Sequence, residues 1–196
     1  MKKIGLYGGA FDPIHNQHLI NATRAYEQLG LDEVWFIPSK EHAFKGSINR
    51  IDTNLRLKMI ELALKDEPHF HLNKIELEAH TTQYTIDTVN QLKKRYPDDV
   101  FYLIIGGDNL DSFHLWKSAE LLLKNVQLVC SKRKGVENRL DESLADYSGS
   151  VHFLTGSESD LSSSFIRKTL REGNSIRYYV PKAVETFVLK HKLYTC

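Results

Sequence analysis

Two histidines, His15 and His18, follow a glycine pair in the stretch Gly8-Gly9-Ala10-Phe11-Asp12-Pro13-Ile14-His15-Asn16-Gln17-His18-Leu19. Their spacing puts both imidazoles on one face if the first turn of a helix includes them. Glycine lets the backbone turn sharply and brings its N–H groups close to a ligand, because no Cβ blocks the approach. A helix start adds unpaired N–H donors and the positive end of the dipole, so the chemistry suggested is the cradling of a phosphate. Taken alone, an H-x-x-H pair also fits a metal site, a buried pair or surface residues. No clustered Cys, Glu or Asp completes a zinc set, and no metal ligands are assigned. The glycines do not follow the dinucleotide spacing G-x-G-x-x-G either.

A second candidate anion site lies near the other end, in Leu161-Ser162-Ser163-Ser164-Phe165-Ile166-Arg167. Three hydroxyls opening a helix are more than capping requires, and Arg167 follows about one turn on. Between the two lies Gly106-Gly107-Asp108-Asn109, a glycine turn with a carboxylate at the end of an apolar run. Asp108 can simply cap the following helix, and the nearby Trp116 can simply be a core residue.

The elements that must position these residues follow from hydrophobic periodicity. Residues 2–8 read as a buried strand, 18–29 as a helix ended by Gly30, and Glu33 to Ile37 as a second strand closed by Pro38. Strand, helix and strand in about forty residues make a βαβ unit with parallel pairing. Residues 39–52 read as a polar, basic loop containing Lys45, at a strand end where open α/β sheets place ligands. Thr53 is expected to cap the next helix, whose first turn carries Arg56. A cation there opposes the helix dipole, which is easier to understand beside an anion, with an exposed surface arginine as the alternative. Phe70 to Glu78 alternates as a strand, and Thr85 is a good N-cap for a helix from Ile86 to Tyr96. Val100 to Ile105 is a continuous apolar strand, as at the centre of a parallel sheet. Strands at Val126 to Cys130 and Val151 to Leu154 flank an aperiodic surface connection over residues 135–149. The helix after the serines ends near Gly173, and Pro181 starts a last amphipathic helix through Leu189.

The chain has 196 residues, 41% of them hydrophobic, which suits one α/β domain spanning 1–196 with a sizeable core. With 26 basic and 25 acidic residues the net charge is +1, which argues against a nucleic-acid surface or a polybasic membrane anchor. Cys130 and Cys196 make neither a metal cluster nor a disulfide framework, so a reducing cytoplasm is expected. No signal-peptide core and no membrane-spanning apolar run is present.

The order of these motifs resembles the nucleotidylyltransferase superfamily, and most closely its bacterial nicotinate-nucleotide adenylyltransferases. The first stretch is similar to the signature GGTFDPIHxGH, with Ala10 in place of threonine and Gln17 in place of glycine. The serine run resembles I-S-S-T-x-I-R, Gln83-Tyr84-Thr85-Ile86-Asp87-Thr88 resembles S-Y-T-x-D-T, and the terminal Lys-Leu-Tyr resembles a G-L-Y ending. The resemblance implies a Rossmann-like, doubly wound parallel sheet with flanking helices. It implies transfer of an adenylyl group from ATP to nicotinate mononucleotide, with Mg²⁺ bound through substrate phosphates. Gly8, Gly9, Ala10, Phe11, His15, His18, Gly106, Asp108, Ser162, Ser163, Ser164, Ile166 and Arg167 are then expected at ATP. Lys45, Arg56, Tyr84, Thr85, Asp108 and Trp116 are expected at the nicotinate nucleotide, with His15, His18 and Arg167 catalytic. No arginine neighbours Tyr84, Thr85 or Trp116 in sequence, so the nicotinate carboxylate is expected to rest on backbone N–H groups after Thr85. Rival readings are transfer to nicotinamide mononucleotide or another phosphate acceptor such as phosphopantetheine, and a non-catalytic nucleotide sensor. Expected partners are ATP, nicotinate mononucleotide and, in a homo-oligomer, further copies of the chain.

Overall fold

The structure is a computed structural model that describes residues 1–40, 51–79, 83–131, 140–156 and 159–195. Six strands form one sheet in the order β3-β2-β1-β4-β5-β6: β1 (Lys3–Gly9), β2 (Glu33–Pro38), β3 (Phe70–Leu72), β4 (Val100–Ile105), β5 (Gln127–Ser131) and β6 (Val151–Leu154). Every neighbouring pair is parallel, which gives the Rossmann-like doubly wound order expected from the sequence.

Alternation along the central strands builds a core on each face. Tyr7, Val34, Phe36, Ile104 and Val129 point to one side. There they meet helices α1 (Asn16–Leu29), α2 (Thr53–Leu64), α7 (Ser163–Arg171) and α8 (Lys182–Lys190). Leu6, Trp35, Ile37, Leu103 and Ile105 point to the other, against α4 (Thr85–Arg95) and α6 (Ala119–Asn125). Strands buried on both faces read as continuous apolar runs for this reason. The strand order reverses between β1 and β4; β1 ends in Gly9, and Gly106 directly follows the last residue of β4. Ligands of open α/β sheets bind in the crevice at such a point.

Several boundaries differ from expectation. Asp52, not Thr53, caps α2 by accepting the Asn54 N–H at 2.7 Å. Only Phe70–Leu72 is strand, because the Asn73 side chain accepts the Ile75 N–H at 3.1 Å and turns the chain into a short helix, α3 (Ile75–Glu78). Tyr84 rather than Thr85 occupies the N-cap of α4, with the Asp87 carboxylate accepting its N–H at 3.1 Å. Residues 107–110 form α5 (Gly107–Leu110) with Gly106 as its cap, so Asp108 lies inside the helix. The connection read as aperiodic contains 3-10 turns over Glu142–Ser150 that bury Leu144 against the second core. Pro181 is the N-cap of α8 rather than its first helical residue, so the helix starts at Lys182, one position later than expected. Among the described residues no helix is long and apolar enough to cross a membrane.

At the C-terminal end, Lys192 adopts φ 50°. Left-handed backbone strains a residue with a Cβ but not glycine, which accounts for the glycine at this place in the G-L-Y ending of the resembled pattern. Lys192 is exposed, so replacement removes no packing. Lys192→Gly is therefore expected to stabilise the fold by about 1 kcal/mol, raising the thermal midpoint by roughly 2–4 °C. Calorimetry of the two proteins tests this, and a lowered midpoint would refute the strain at Lys192.

Candidate active site

The loop from Ala10 to Pro13 joins β1 to α1, and its carbonyls are held by side chains from distant elements. Arg56 donates to the Ala10 carbonyl at 2.9 Å and to the Ser39 carbonyl at 2.8 Å. Arg167 donates to the Asp12 carbonyl at 2.7 Å, and the Ser163 hydroxyl donates to the Pro13 carbonyl at 2.9 Å. The Tyr194 hydroxyl donates to the Asp12 carboxylate at 2.6 Å. Burial, and then the Asp12 charge, push the Tyr194 pKa up, so the phenol keeps its proton for this bond. Within the loop, Phe11 takes φ 48° and the Asp12–Pro13 peptide is cis. The Phe11 ring packs across Gly9, where a Cβ would approach it to 3.2 Å, while a Cβ at Gly8 would meet nothing within 4 Å. Gly9 thus serves close packing, and Gly8 opens onto free space.

The two histidines sit where α1 begins, and their rings stack at 3.6 Å between centroids. His15 is the N-cap residue, and its backbone N–H donates to Nδ1 of His18 at 3.2 Å. A neutral His18 therefore carries its proton on Nε2. Burial lowers the His15 pKa to about 4, and burial together with the neighbouring His15 lowers that of His18 well below the usual histidine range. Both rings are neutral near pH 7 in the ligand-free chain. Nδ1 of His15 is buried and has no hydrogen-bond partner among the described residues, an orphan polar atom at the helix start. Gln17 turns its amide onto Asn21 at 2.8 Å, along the helix rather than across its N-terminus.

Helix α7 begins against the same loop. Ser162 caps it by accepting the Phe165 N–H at 3.2 Å, Ser163 is spent on Pro13, and Ser164 accepts from Arg167 at 3.1 Å. The serine run and Arg167 are thus brought to the loop that carries the histidines. Ile166 is not placed as expected, since its side chain is fully buried and its N–H donates to the Ser162 carbonyl. It is a core residue with no polar group turned to a ligand. Arg56 is also buried rather than an exposed surface arginine, and the bonds described above make it a tie for the loop.

Beside Gly8 and Gly9, at the ends of β1 and β4, a cavity of about 550 Å³ opens, with Tyr84, Thr85 and Trp116 among its lining. Three of the residues expected around the second substrate, Tyr84, Thr85 and Trp116, therefore converge on one space next to the glycine turn, whereas Arg56 is not among its lining. Trp116 is only partly buried, its ring 5.1 Å from that of Phe113, so one part packs on the core and another meets the cavity. The Gly107 N–H donates to the Ser131 hydroxyl at 3.2 Å, which ties the turn after β4 to the end of β5. Lys45, the basic stretch 132–134 and the side chain of Asp108 lie outside the described residues.

Two cavity residues were missed by sequence reasoning. Glu76 accepts from the Thr88 hydroxyl at 2.9 Å, and burial pushes its carboxyl pKa up. Its segment, Phe70 to Glu78, reads as an alternating strand, and Glu76 falls among its polar positions rather than in a cavity wall. Lys117 lies 4.2 Å from the centre of the Tyr84 ring and 3.7 Å from the Asp87 carboxylate. The sequence offers no arginine near Tyr84, Thr85 and Trp116 and suggests Asp87 as the nearest charge; the structure adds the Lys117 ammonium beside both Tyr84 and Asp87. Among the described residues, no three or more His, Cys, Asp or Glu side chains gather as a metal site.

Known proteins give the same picture. The sequence profile of the cytidylyltransferase-like family matches residues 6–169. A Bacillus subtilis protein named nicotinate-nucleotide adenylyltransferase is 36% identical over 194 residues, 99% of this chain and 99% of its own. A Bacillus pumilus protein named "Probable nicotinate-nucleotide adenylyltransferase" is 40% identical over the same shares of both chains. The fold matches that of Plasmodium falciparum nicotinic acid mononucleotide adenylyltransferase complexed with NaAD. The TM-score is 0.81 at 22% identity, covering 99% of this chain and 98% of the other. Full-length similarity at this level, on a sheet of this order, places the chain in the nicotinate-nucleotide adenylyltransferase family of cytidylyltransferase-like proteins.

Proposed function

We propose that the chain transfers the adenylyl group of ATP to nicotinate mononucleotide, forming nicotinate-adenine dinucleotide and pyrophosphate. One observation carries this reading. Two helix starts, one with the stacked histidines and one with Ser164 and Arg167, meet at the loop that borders a cavity holding Tyr84, Thr85 and Trp116. The first pair suits a triphosphate, and the cavity suits an aromatic base with its ribose phosphate. An oxygen of the acceptor's 5′-phosphate attacks the α-phosphorus, and the bond from that phosphorus to the bridging oxygen of the β-phosphate breaks. Its electron pair leaves with pyrophosphate. A phosphate is already a competent nucleophile, so no protein nucleophile is required and the protein's work is alignment and charge stabilisation.

His18 presents an Nε2–H donor without a positive charge, fixed in tautomer by the His15 backbone, and His15 keeps its orphan Nδ1 beside it. Ser164 and Arg167 hold the far phosphates in this reading, joined by Lys45. Mg²⁺ held by substrate phosphates and waters fits a site that gathers no carboxylate cage among the described residues, and it would add charge neutralisation on the phosphates. The acceptor's ring lies on Trp116, and the N-terminal N–H groups of α4 face its carboxylate. A cytoplasmic location belongs to the same reading, supported by a chain with two cysteines, one of them a free buried thiol.

Pyrophosphate release measured with nicotinate mononucleotide, nicotinamide mononucleotide and phosphopantetheine tests the function. The acid nucleotide is expected to exceed the amide in kcat/KM by a factor on the order of 10², because the amide loses a charge-assisted bond and turns its NH₂ toward donors. Release with none of the three would leave a nucleotide sensor. His18→Ala is expected to lower kcat by about 10²-fold or more with the fold intact, the scale of a lost preorganised donor. A folded variant of near-normal kcat would remove His18 from the reaction.

The neutral pair also sets a pH dependence. The His15 pKa falls from 6.5 unfolded to about 4 folded, so the unfolded chain binds the extra proton first. Its contribution to stability is fully present above pH 6.5 and is lost as the pH falls toward 4. Thermal midpoints of the ligand-free chain should drop across that window, and His15→Asn should drop less. Equal losses in the two proteins would show that His15 is not the group responsible.

A further inference from the structure

The cavity beside Tyr84 and Trp116 carries a charge pattern that its proposed ligand makes paradoxical. Glu76 lines it, and the Asp87 carboxylate, which is not among the lining, lies behind it against the lining residues Tyr84 and Lys117 at the start of α4. A nicotinate carboxylate entering a cavity with Glu76 in its wall and Asp87 close behind would be opposed by that charge, and the amide NH₂ would be favoured by it. The neutral lining side chains, Gln83, Thr85, Thr88, Asn109 and Ser112 among them, do not reverse that bias. Among the described residues lining the cavity, Lys117 is the one cation.

Its placement is set by the chain around it. Trp116 accepts the Ala119 N–H at 3.2 Å, and Ser118 is held at φ 56°, a left-handed conformation costly for a residue with a Cβ. This tight turn carries Trp116 and Lys117 together, so the side chain that meets the ring of the base and the cation come from adjacent positions. The ammonium of Lys117 rests over the Tyr84 ring at 4.2 Å, within reach of Asp87 at 3.7 Å. Asp87 is also engaged by the Tyr84 N–H, so its charge is shared between two donors.

We propose that Lys117 is a specificity residue that recognises the carboxylate of the acceptor base and makes the cavity select acid over amide. This rests on the adenylyl transfer proposed above. Backbone N–H groups at the start of α4 and the Lys117 ammonium then approach the carboxylate from two sides, and the cation offsets the repulsion from Glu76 and Asp87. Lys117 is half exposed, so screening limits its effect to a moderate factor.

The test compares kcat/KM for nicotinate and nicotinamide mononucleotide, at fixed ATP and Mg²⁺, in the unmodified chain, Lys117→Gln and Lys117→Arg. Equilibrium binding of each nucleotide to the same proteins is measured by calorimetry. Lys117→Gln is expected to reduce the acid-to-amide ratio about fivefold to tenfold, through weaker binding of the acid alone, and Lys117→Arg to keep most of it. Lys117 is at the surface of a folded element, and turnover of the amide in the same variant reports any general damage. An unmodified chain that prefers the acid, with the ratio unchanged in Lys117→Gln, overturns the role of Lys117 and leaves the function standing. An unmodified chain that uses neither nucleotide overturns the function and this inference together.

Discussion

The arrangement depends on how one loop is held. Between β1 and α1 the backbone passes through a left-handed Phe11, a conformation that a bulky residue adopts only when its surroundings impose it. Here they do so from three directions. Arg56 of α2, Arg167 of α7 and Ser163 at the α7 start each take a loop carbonyl, and Tyr194 near the C-terminus takes the Asp12 carboxylate. Each is a part-buried bond, and leaving one unmade would cost up to about 1–3 kcal/mol. The loop is consequently fixed by contacts reaching across most of the chain, and α1 and α7 can start against each other only because both start against it.

That anchoring has an electrostatic consequence. The loop and the aromatic rings of Tyr7 and Phe11 wall in His18, with ring centroids 5.8 and 5.0 Å from its own. Desolvation of this kind disfavours charged imidazole, which is why two histidines at a presumed phosphate site are neutral before any phosphate arrives. The pair costs less to keep buried than two cations would, and an incoming anion meets preorganised donors. The permanent positive charge nearby belongs to Arg167 of α7, which is oriented by its bond to the Asp12 carbonyl.

Much of this was legible in the sequence, for reasons visible in individual residues. The central strands were readable because burial on both faces leaves continuous apolar runs such as Val100–Ile105. The histidine pair was readable because helical spacing alone puts positions 15 and 18 on one face, and the stacked rings bear this out. Strand β3 was overextended because Ile75 and Leu77 continue an apparent alternation, whereas the Asn73 side chain decides locally for a turn. The helix after Trp116 went unread because it spans only Ala119–Asn125 and starts from a left-handed serine. Ile166 was taken for a ligand contact since it sits inside a recognisable motif, yet its place in the period makes it core. Charges that act across the sheet were the least legible. Glu76 and Lys117 are forty-one positions apart in the sequence and meet at one cavity only through the pairing of strands between them.

The two faces of the sheet divide the labour, and the strand order makes the division useful. Helices α1 and α7 pack on one face and bring the candidate triphosphate residues; α4 and the Trp116 turn pack on the other and bring the acceptor cavity. Two substrates held on opposite faces could not ordinarily meet. They can here, because β1 and β4 are neighbours whose following segments leave toward opposite faces, opening a crevice exactly between them at the glycine ends. Glycine matters at that edge for a reason separate from its flexibility. A Cβ at Gly8 meets nothing within 4 Å among the described residues, and a side chain there would take up space at the edge of the cavity that Gly8 lines. A reaction in which the protein contributes no covalent step needs such an opening between two candidate sites, since bringing two reactants into line is worth several powers of ten in effective concentration.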